Sequence, residues 1–185
     1  MFRNYFTLFR NAISLTFLVL NLISHPLVAL ANEPAAPFIP THLAIPAIAL
    51  DSAIVSVGMK EVEVNGQTYY QWLTDDNLVG WHNLSAPIGQ AGNTVLNGHS
   101  NIHAQVFQAL GNIAIGDEII VYSGDQAYRY VVAEKFLVQE KSVSLEQRNK
   151  NAQIIMPTQD ERLTLITCSQ SASTHRLIVI ARRVP

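Results

Sequence analysis

The sequence predicts an all-β domain that forms a closed or nearly closed antiparallel barrel of eight strands, with one or two short helices. Three observations support this fold class. About eight short apolar runs rich in β-branched residues follow one another at short spacing. Turn dipeptides such as Asn65-Gly66, Gly116-Asp117 and Gly124-Asp125 separate several of these runs. Helical patterns are scarce, and short antiparallel strands in series commonly close into barrels that have no free edge.

The first 31 residues differ from the rest of the chain. Arg3 and Arg10 are their only charged side chains, and residues 12–31 are mostly apolar. This pattern predicts an export signal, which is either a signal peptide cleaved at Ala29-Leu30-Ala31 or an uncut membrane anchor of about 20 residues. The two arginines would keep the N-terminus inside. In both cases the remaining chain is expected outside the cytoplasm, held at the extracytoplasmic face of the membrane or secreted.

Residues 32–41 contain three prolines and predict an extended linker, so the folded domain is expected to span residues 42–185. The chain is 49% hydrophobic and 14% charged, a composition that can bury one ordinary core. Of its 12 basic residues two are Arg3 and Arg10, which leaves 10 basic residues against 14 acidic ones. No basic run is longer than Arg182-Arg183, so nucleic acid is not an expected partner.

The predicted elements can be placed along the domain in order. Residues 62–70 form a hairpin around Asn65-Gly66. Residues 101–113 have apolar side chains at helical spacing and predict a short helix, whereas residues 143–151 are polar and predict a loop or a single helical turn. The other short apolar runs comprise residues 43–50, 53–57, 78–82, 94–97, 118–122, 127–138, 162–168 and 176–181, and the predicted total is about eight strands.

The strand at residues 162–168 carries the only cysteine of the chain, Cys168, at its end. A polar segment, residues 169–175, separates it from the next apolar run, so the two strands are expected to pair as a hairpin. Facing residues of an antiparallel pair lie roughly 5 Å apart at Cα, which would place Arg176 beside Cys168. A nearby positive charge favours the thiolate, which is the nucleophilic form. The alternative interpretation of Cys168 is a small residue of the core.

Three segments of the chain are similar to motifs of the sortase family. Thr164-Leu165-Ile166-Thr167-Cys168 matches the TLxTC signature of that family. Asn97-Gly98-His99-Ser100 resembles the segment with its catalytic histidine, and the strand that begins at Arg176 resembles the one that carries its arginine. The resemblance extends from about residue 43 to residue 184 and implies a sortase-like eight-stranded β-barrel.

The resemblance also implies a cysteine transpeptidase, and no cofactor is predicted for this chain. Such an enzyme cleaves substrate proteins at an LPxTG-like sorting signal and transfers the acyl group to an amine. The acceptor amine belongs to a cell-wall precursor or to the lysine of another protein, and the reaction anchors surface proteins or links pilus-type assemblies.

Each of the three matching residues has a distinct chemical task in this reading. The thiolate of Cys168 attacks the peptide carbonyl and forms a thioester, which still reacts with amines. His99 is suited to give a proton to the leaving amine and later to accept one from the incoming amine. Arg176 is always charged, so it can stabilise the tetrahedral intermediate or hold the substrate backbone.

Two other functions stay open at this point. One is an exported β-barrel that acts as a binding or chaperone-like module, with a buried and silent Cys168. The other is a sortase-like peptidase that uses water as the acceptor. The sequence separates the first alternative from the transpeptidase by the occurrence of His99, Cys168 and Arg176 together at predicted strand ends.

The remaining histidines are not expected to act in catalysis. His103 follows His99 by four residues, a spacing that suits zinc when both lie on one helical face. Because His99 is expected at the end of a strand, no metal site is predicted. His82 and His175 are expected in loops, and Trp72 is expected to be a packing residue.

Overall fold

The computed structural model of the chain describes residues 38–64, 66–169 and 174–184. The signal or anchor prediction for residues 1–31, and the first part of the predicted linker, lie outside the described residues. Within the described ranges, no helix has the length and apolar character needed to cross a lipid bilayer.

Eight strands close into one barrel, and two more form a separate hairpin. The barrel strands are β1 (His42–Ile45), β2 (Leu50–Val57), β5 (Val79–His82), β6 (Gly92–Asn97), β7 (Glu118–Ser123), β8 (Gln126–Gln139), β9 (Glu161–Cys168) and β10 (His175–Arg183). The hairpin consists of β3 (Met59–Val64) and β4 (Gln67–Trp72). Around the barrel the order is β1-β2-β5-β6-β9-β10-β8-β7, and β7 pairs back onto β1. The prediction of a closed eight-stranded barrel is confirmed.

The pairing directions refine that prediction. Six neighbouring pairs of the barrel are antiparallel, but β2 pairs with β5, and β6 with β9, in parallel. The chain leaves the barrel through the β3–β4 hairpin before β5, and it passes through β7, β8 and a helix before β9. Connections of this length allow parallel crossovers. Because β6 and β9 run in the same direction, their C-terminal ends meet at one rim of the barrel.

The helices lie elsewhere than predicted. Within the described ranges, the α-helix is α1 (Leu145–Ala152), where a loop or single turn was expected. Ser144 caps it, since its side chain accepts a hydrogen bond of 3.2 Å from the backbone N–H of Gln147. The predicted helix at residues 101–113 is instead a series of turns followed by a short 3₁₀ helix, Gln108–Asn112. His103 and Gln105 both have φ near 53°, which is incompatible with a right-handed helix.

Apolar side chains from all eight strands of the barrel fill its interior. Leu43, Phe107, Ile119, Tyr130 and Leu165 are among the large side chains with no solvent exposure. Each such side chain stabilises the fold by about 1.5–3 kcal/mol relative to its exposed state. The packed core therefore holds in place the strand ends at the rim where β6 and β9 end.

Candidate active site

Cys168 and Arg176 face each other at the rim where β9 ends and β10 begins. They are partners in the antiparallel register of the two strands, as predicted. Arg176 Nη1 donates a hydrogen bond to Cys168 Sγ at 3.2 Å. Both residues are half-buried. The cation therefore contacts the thiol directly, in a place that solvent also reaches.

The end of β9 is tied to the segment that follows β6. Ser100 Oγ donates to the carbonyl oxygen of Cys168 at 2.6 Å, and Thr167 Oγ1 donates to the carbonyl oxygen of Gly98 at 2.7 Å. The backbone N–H of Gly98 donates to the carbonyl of Ile166 at 3.3 Å. These hydrogen bonds extend the parallel β6–β9 pairing beyond the strand ends and hold the chain on both sides of His99.

Gly98 is the residue type that this approach requires. A Cβ atom at position 98 would lie 2.7 Å from Val106 Cγ1 and 2.9 Å from Phe107 Cδ2. Phe107 belongs to the fully buried core, and its backbone N–H donates to the His99 carbonyl at 2.8 Å. A larger side chain before His99 would therefore push the histidine segment away from the core.

His99 lies beside a second histidine and a carboxylate. Its ring centroid is 4.7 Å from that of His103, and His103 Nε2 lies 3.4 Å from Asp76 Oδ1. Burial and, next, the charge of His103 lower the pKa of His99, while Asp76 and Asp75 act in the opposite direction. His99 was expected at a strand end and not on one helical face with His103, and residues 99–103 indeed form no helix. His99 does follow a strand, but the turns after it bring His103 back to the same place.

The three predicted residues open onto one cleft of about 430 Å³. His99, Cys168 and Arg176 all line it, together with Tyr70 and Trp72 from the β3–β4 hairpin. Helix α1 contributes Arg148, Asn151 and Ala152 to the same lining. A second cavity of about 390 Å³, with Ser100, Lys135 and Leu177 in its lining, also includes Cys168. Cys168 thus lines both cavities.

Comparison with known protein families identifies the domain. A family model for the Sortase domain matches residues 43–184. The chain belongs to the sortase family.

Individual sortases are similar to this chain at low sequence identity. Sortase A from Listeria monocytogenes is 28% identical over 131 residues, which cover 70% of this chain and 55% of that protein. The chain thus spans just over half the length of this curated relative. A sortase D5 transpeptidase from Clostridium perfringens superimposes with a TM-score of 0.59 at 20% identity, covering 79% of each chain. A lid mutant of sortase A from Corynebacterium diphtheriae gives 0.58 at 22% identity, covering 83% of this chain and 74% of that one. These structures share the fold of the sortase domain described above.

His82 was expected in a loop but is the last residue of β5, and it is almost fully buried beneath the cleft of this sortase domain. Trp72 stacks on it with ring centroids 4.0 Å apart, so Trp72 does pack, as expected. Asn97 Nδ2 lies 3.0 Å from His82 Nε2 and also donates to the carbonyl of Leu73 at 2.8 Å. Burial lowers the pKa of His82 to about 4, so it is neutral at pH 7.

Several features in or near the cleft escaped the sequence analysis. Asp76 is in a polar loop and carries no motif, although Asp75-Asp76 before a strand was a visible pair of acids. Helix α1 was predicted as only a loop or a single helical turn because most of its residues are polar. The spacing of Ser144 and Gln147 is a helix-start signal that would have found it. His175, expected in a loop, is the first residue of β10.

Proposed function

We propose that this sortase is an exported cysteine transpeptidase that cleaves an LPxTG-like sorting signal through a thioester on Cys168 and transfers the acyl group to an amine. The observation that carries the proposal is the 3.2 Å contact between Arg176 Nη1 and Cys168 Sγ, in a cleft that His99 also lines. A half-buried thiol beside a guanidinium has the surroundings of a reactive cysteine and differs from a silent one in an apolar core.

In the first half of the reaction, the Cys168 thiolate attacks the carbonyl carbon of the scissile peptide bond. The carbonyl oxygen becomes negatively charged, and Arg176 stabilises that charge or holds the substrate backbone next to it. When the carbon–nitrogen bond breaks, His99 gives a proton to the leaving amine. The acyl group is left on Cys168 as a thioester.

In the second half, an acceptor amine attacks the thioester carbon and His99 takes its surplus proton. The carbon–sulfur bond breaks, a new amide forms and the thiolate of Cys168 returns. His99 thus gives one proton and regains one in each cycle, so no net proton is consumed by the protein. None of these steps requires a cofactor.

The proposed partners follow from this chemistry and from the family. They are substrate proteins with an LPxTG-like signal and an amine acceptor, either a cell-wall precursor or a protein lysine. The apolar segment at residues 12–31 would export the domain and, if uncut, hold it at the outer face of the membrane. The reaction would then take place where surface proteins emerge.

A peptide library tests the proposal. The full chain is incubated with LPxTG-like peptides and a small amine, and the products are identified by mass spectrometry. Peptides joined to the amine are expected from wild type and not from Cys168→Ala. Free acids as the main product, even at high amine concentration, would identify a peptidase that uses water. If no peptide were cleaved, or if Cys168→Ala cleaved as fast as wild type, the transpeptidase proposal would fail.

A further inference from the structure

Three side chains at the mouth of the cleft form a cluster with the ligand types of a metal site. Asp76 comes from the loop between β4 and β5, and His99 and His103 come from the segment after β6. One ligand atom from each residue can be chosen so that all three atoms lie within 4.8 Å of one another. We refer to these three residues as the Asp-His-His cluster.

We propose that the Asp-His-His cluster binds a divalent transition-metal ion of the Zn²⁺ type, and that the bound ion reversibly inhibits the enzyme by occupying His99. Two imidazoles and one carboxylate are a known donor set for zinc, with the fourth position left to water. The binding part of this inference is independent of the proposed function, whereas the inhibition part rests on it.

The geometry needs only a small adjustment to hold an ion. Ligand atoms bound to tetrahedral zinc at about 2.0–2.1 Å lie roughly 3.4 Å apart. His103 Nε2 and Asp76 Oδ1 are already 3.4 Å apart. The side chains of His103 and Asp76 are 43% and 66% exposed, so they can close around the ion without disturbing the core.

The backbone holds the two ligand-bearing loops together. The N–H of Ala104, next to His103, donates to the carbonyl oxygen of Asp76 at 3.1 Å. His103 itself has a left-handed φ of 53°, and this turn directs the chain back toward His99. The backbone of the two loops is therefore in place before any ion arrives, which lowers the entropy cost of binding.

The thiol of Cys168 is not part of this site, because it is engaged by Arg176 on the strand side of the cleft. An ion on the cluster would instead take the lone pair of His99 that the transfer reaction needs. His42 and Asp51 offer an internal comparison. They form a similar pair, with 3.0 Å between Nε2 and Oδ1, but no other His, Cys, Asp or Glu among the described residues completes a three-ligand group there.

Direct binding is the first test. The full chain, purified free of metal, is titrated with Zn²⁺ in a calorimeter and with Co²⁺ as a spectroscopic probe. One ion per chain is expected, and Asp76→Asn and His103→Asn should each weaken binding at least about tenfold. Asparagine is chosen at position 103 because it tolerates a left-handed backbone. His42→Asn is the matched control and should bind as wild type does, and Cys168→Ala should also retain the ion.

Inhibition is the second test, made with a peptide that wild type cleaves. Zn²⁺ should slow the reaction and a chelator should restore it. For His103→Asn, the Zn²⁺ concentration that halves its own metal-free rate should rise at least about tenfold. If metal-free protein were inactive and Zn²⁺ restored its activity, the inhibitory role would be overturned, because the ion would then be needed for catalysis.

The outcomes separate the parts of the inference. The site is overturned if wild type binds no Zn²⁺, if Asp76→Asn and His103→Asn bind it unchanged, or if Cys168→Ala alone abolishes binding. Binding without inhibition keeps the site and overturns its inhibitory role. A chain that binds the ion as described but cleaves no peptide overturns the proposed function and leaves the metal site standing.

Discussion

The two sides of the cleft are built in different ways. Cys168 and Arg176 are the last pair of a continuous β9–β10 ladder whose far end pairs Arg162 with Arg182. His99 lies after the end of β6 in a segment without regular structure, next to the exposed side chains of His103 and Asp76. Moving the first pair would mean shifting a whole ladder, whereas the second group depends on a few loop hydrogen bonds. The barrel thus fixes Cys168 and Arg176, and loops set the surroundings of His99.

The largest expected effect comes from removing any of the three chemical groups. Cys168→Ala, His99→Ala and Arg176→Ala should each abolish turnover, because the three act as one unit whose losses are not additive. All three are at the rim, so unfolding by denaturant should change little. Turnover is measured by mass spectrometry of the peptide products. A thioester on Cys168 should accumulate in wild type when the amine is withheld.

Arg182 is a matched control for the arginine. It is on the same strand, β10, and pairs with the acidic groups of Asp160 and Glu134 at the far end of the ladder. Arg182→Ala should keep most of the activity. Equal losses from Arg176→Ala and Arg182→Ala would contradict a chemical role for Arg176 and indicate that the ladder merely needs its charges.

Arg176→Lys tests whether the Cys168–Arg176 side of the cleft requires more than a positive charge at position 176. The ammonium keeps the positive charge but loses the planar fork that can bind two oxygen atoms at once. We expect a loss of at least about a hundredfold in turnover, the scale of removing one oxyanion donor. The turnover rates of the variant and of wild type are compared under conditions in which denaturant unfolding shows both proteins to be folded. Full activity in the lysine variant would show that charge alone suffices.

The side of the cleft formed by Cys168 and Arg176 was also the easier one to predict from sequence. The alternation of residues 162–168, the polar gap and the run after Arg176 define a hairpin register, and strand register depends mostly on local pattern. The surroundings of His99 depend on left-handed residues at His103 and Gln105 and on a hydrogen bond to a loop more than 20 positions away. A periodic apolar pattern over residues 101–113 predicted a helix there because packing against the core produces the same pattern in a series of turns.

His82 offers a strand-borne histidine to compare with the loop-borne His99. Its pKa is about 4 in the folded protein and 6.5 when exposed, so between these pH values only the unfolded chain binds the proton. Stability should therefore be complete above pH 6.5 and fall as the pH drops toward 4, by at most about 3 kcal/mol. Denaturant unfolding at several pH values measures this slope. His82→Phe keeps a ring against Trp72 and should flatten the slope, whatever its constant effect on stability.

The control for this slope is His42, which lies on the outside of the barrel and is half-exposed. A slope that is flattened by His82→Phe and not by His42→Phe would assign the acid sensitivity to the buried imidazole. If His82→Phe kept the full slope as well, the acid sensitivity would come from carboxylates elsewhere in the barrel.

The smallest expected effect concerns the pKa of His99, and it tests whether loop neighbours set its protonation. The charge of His103 lowers this pKa and that of Asp76 raises it. In metal-free protein, His103→Asn should therefore raise the pKa of His99, and Asp76→Asn should lower it further. Asp75 is left intact because its carboxylate accepts hydrogen bonds from the backbone N–H groups of Asn77 and Leu78 and holds the loop.

NMR titration of the histidine rings measures both changes in the pKa of His99, with His42→Asn as the control that leaves His99 unaffected. The two limbs of a bell-shaped rate profile would belong to the coupled Cys168 and His99 pair and not to single residues. The profile should therefore move in the same two directions as the pKa of His99, with neither limb assigned to one residue. Shifts of the same sign in both variants would mean that solvent access, and not the loop charges, controls the proton on His99.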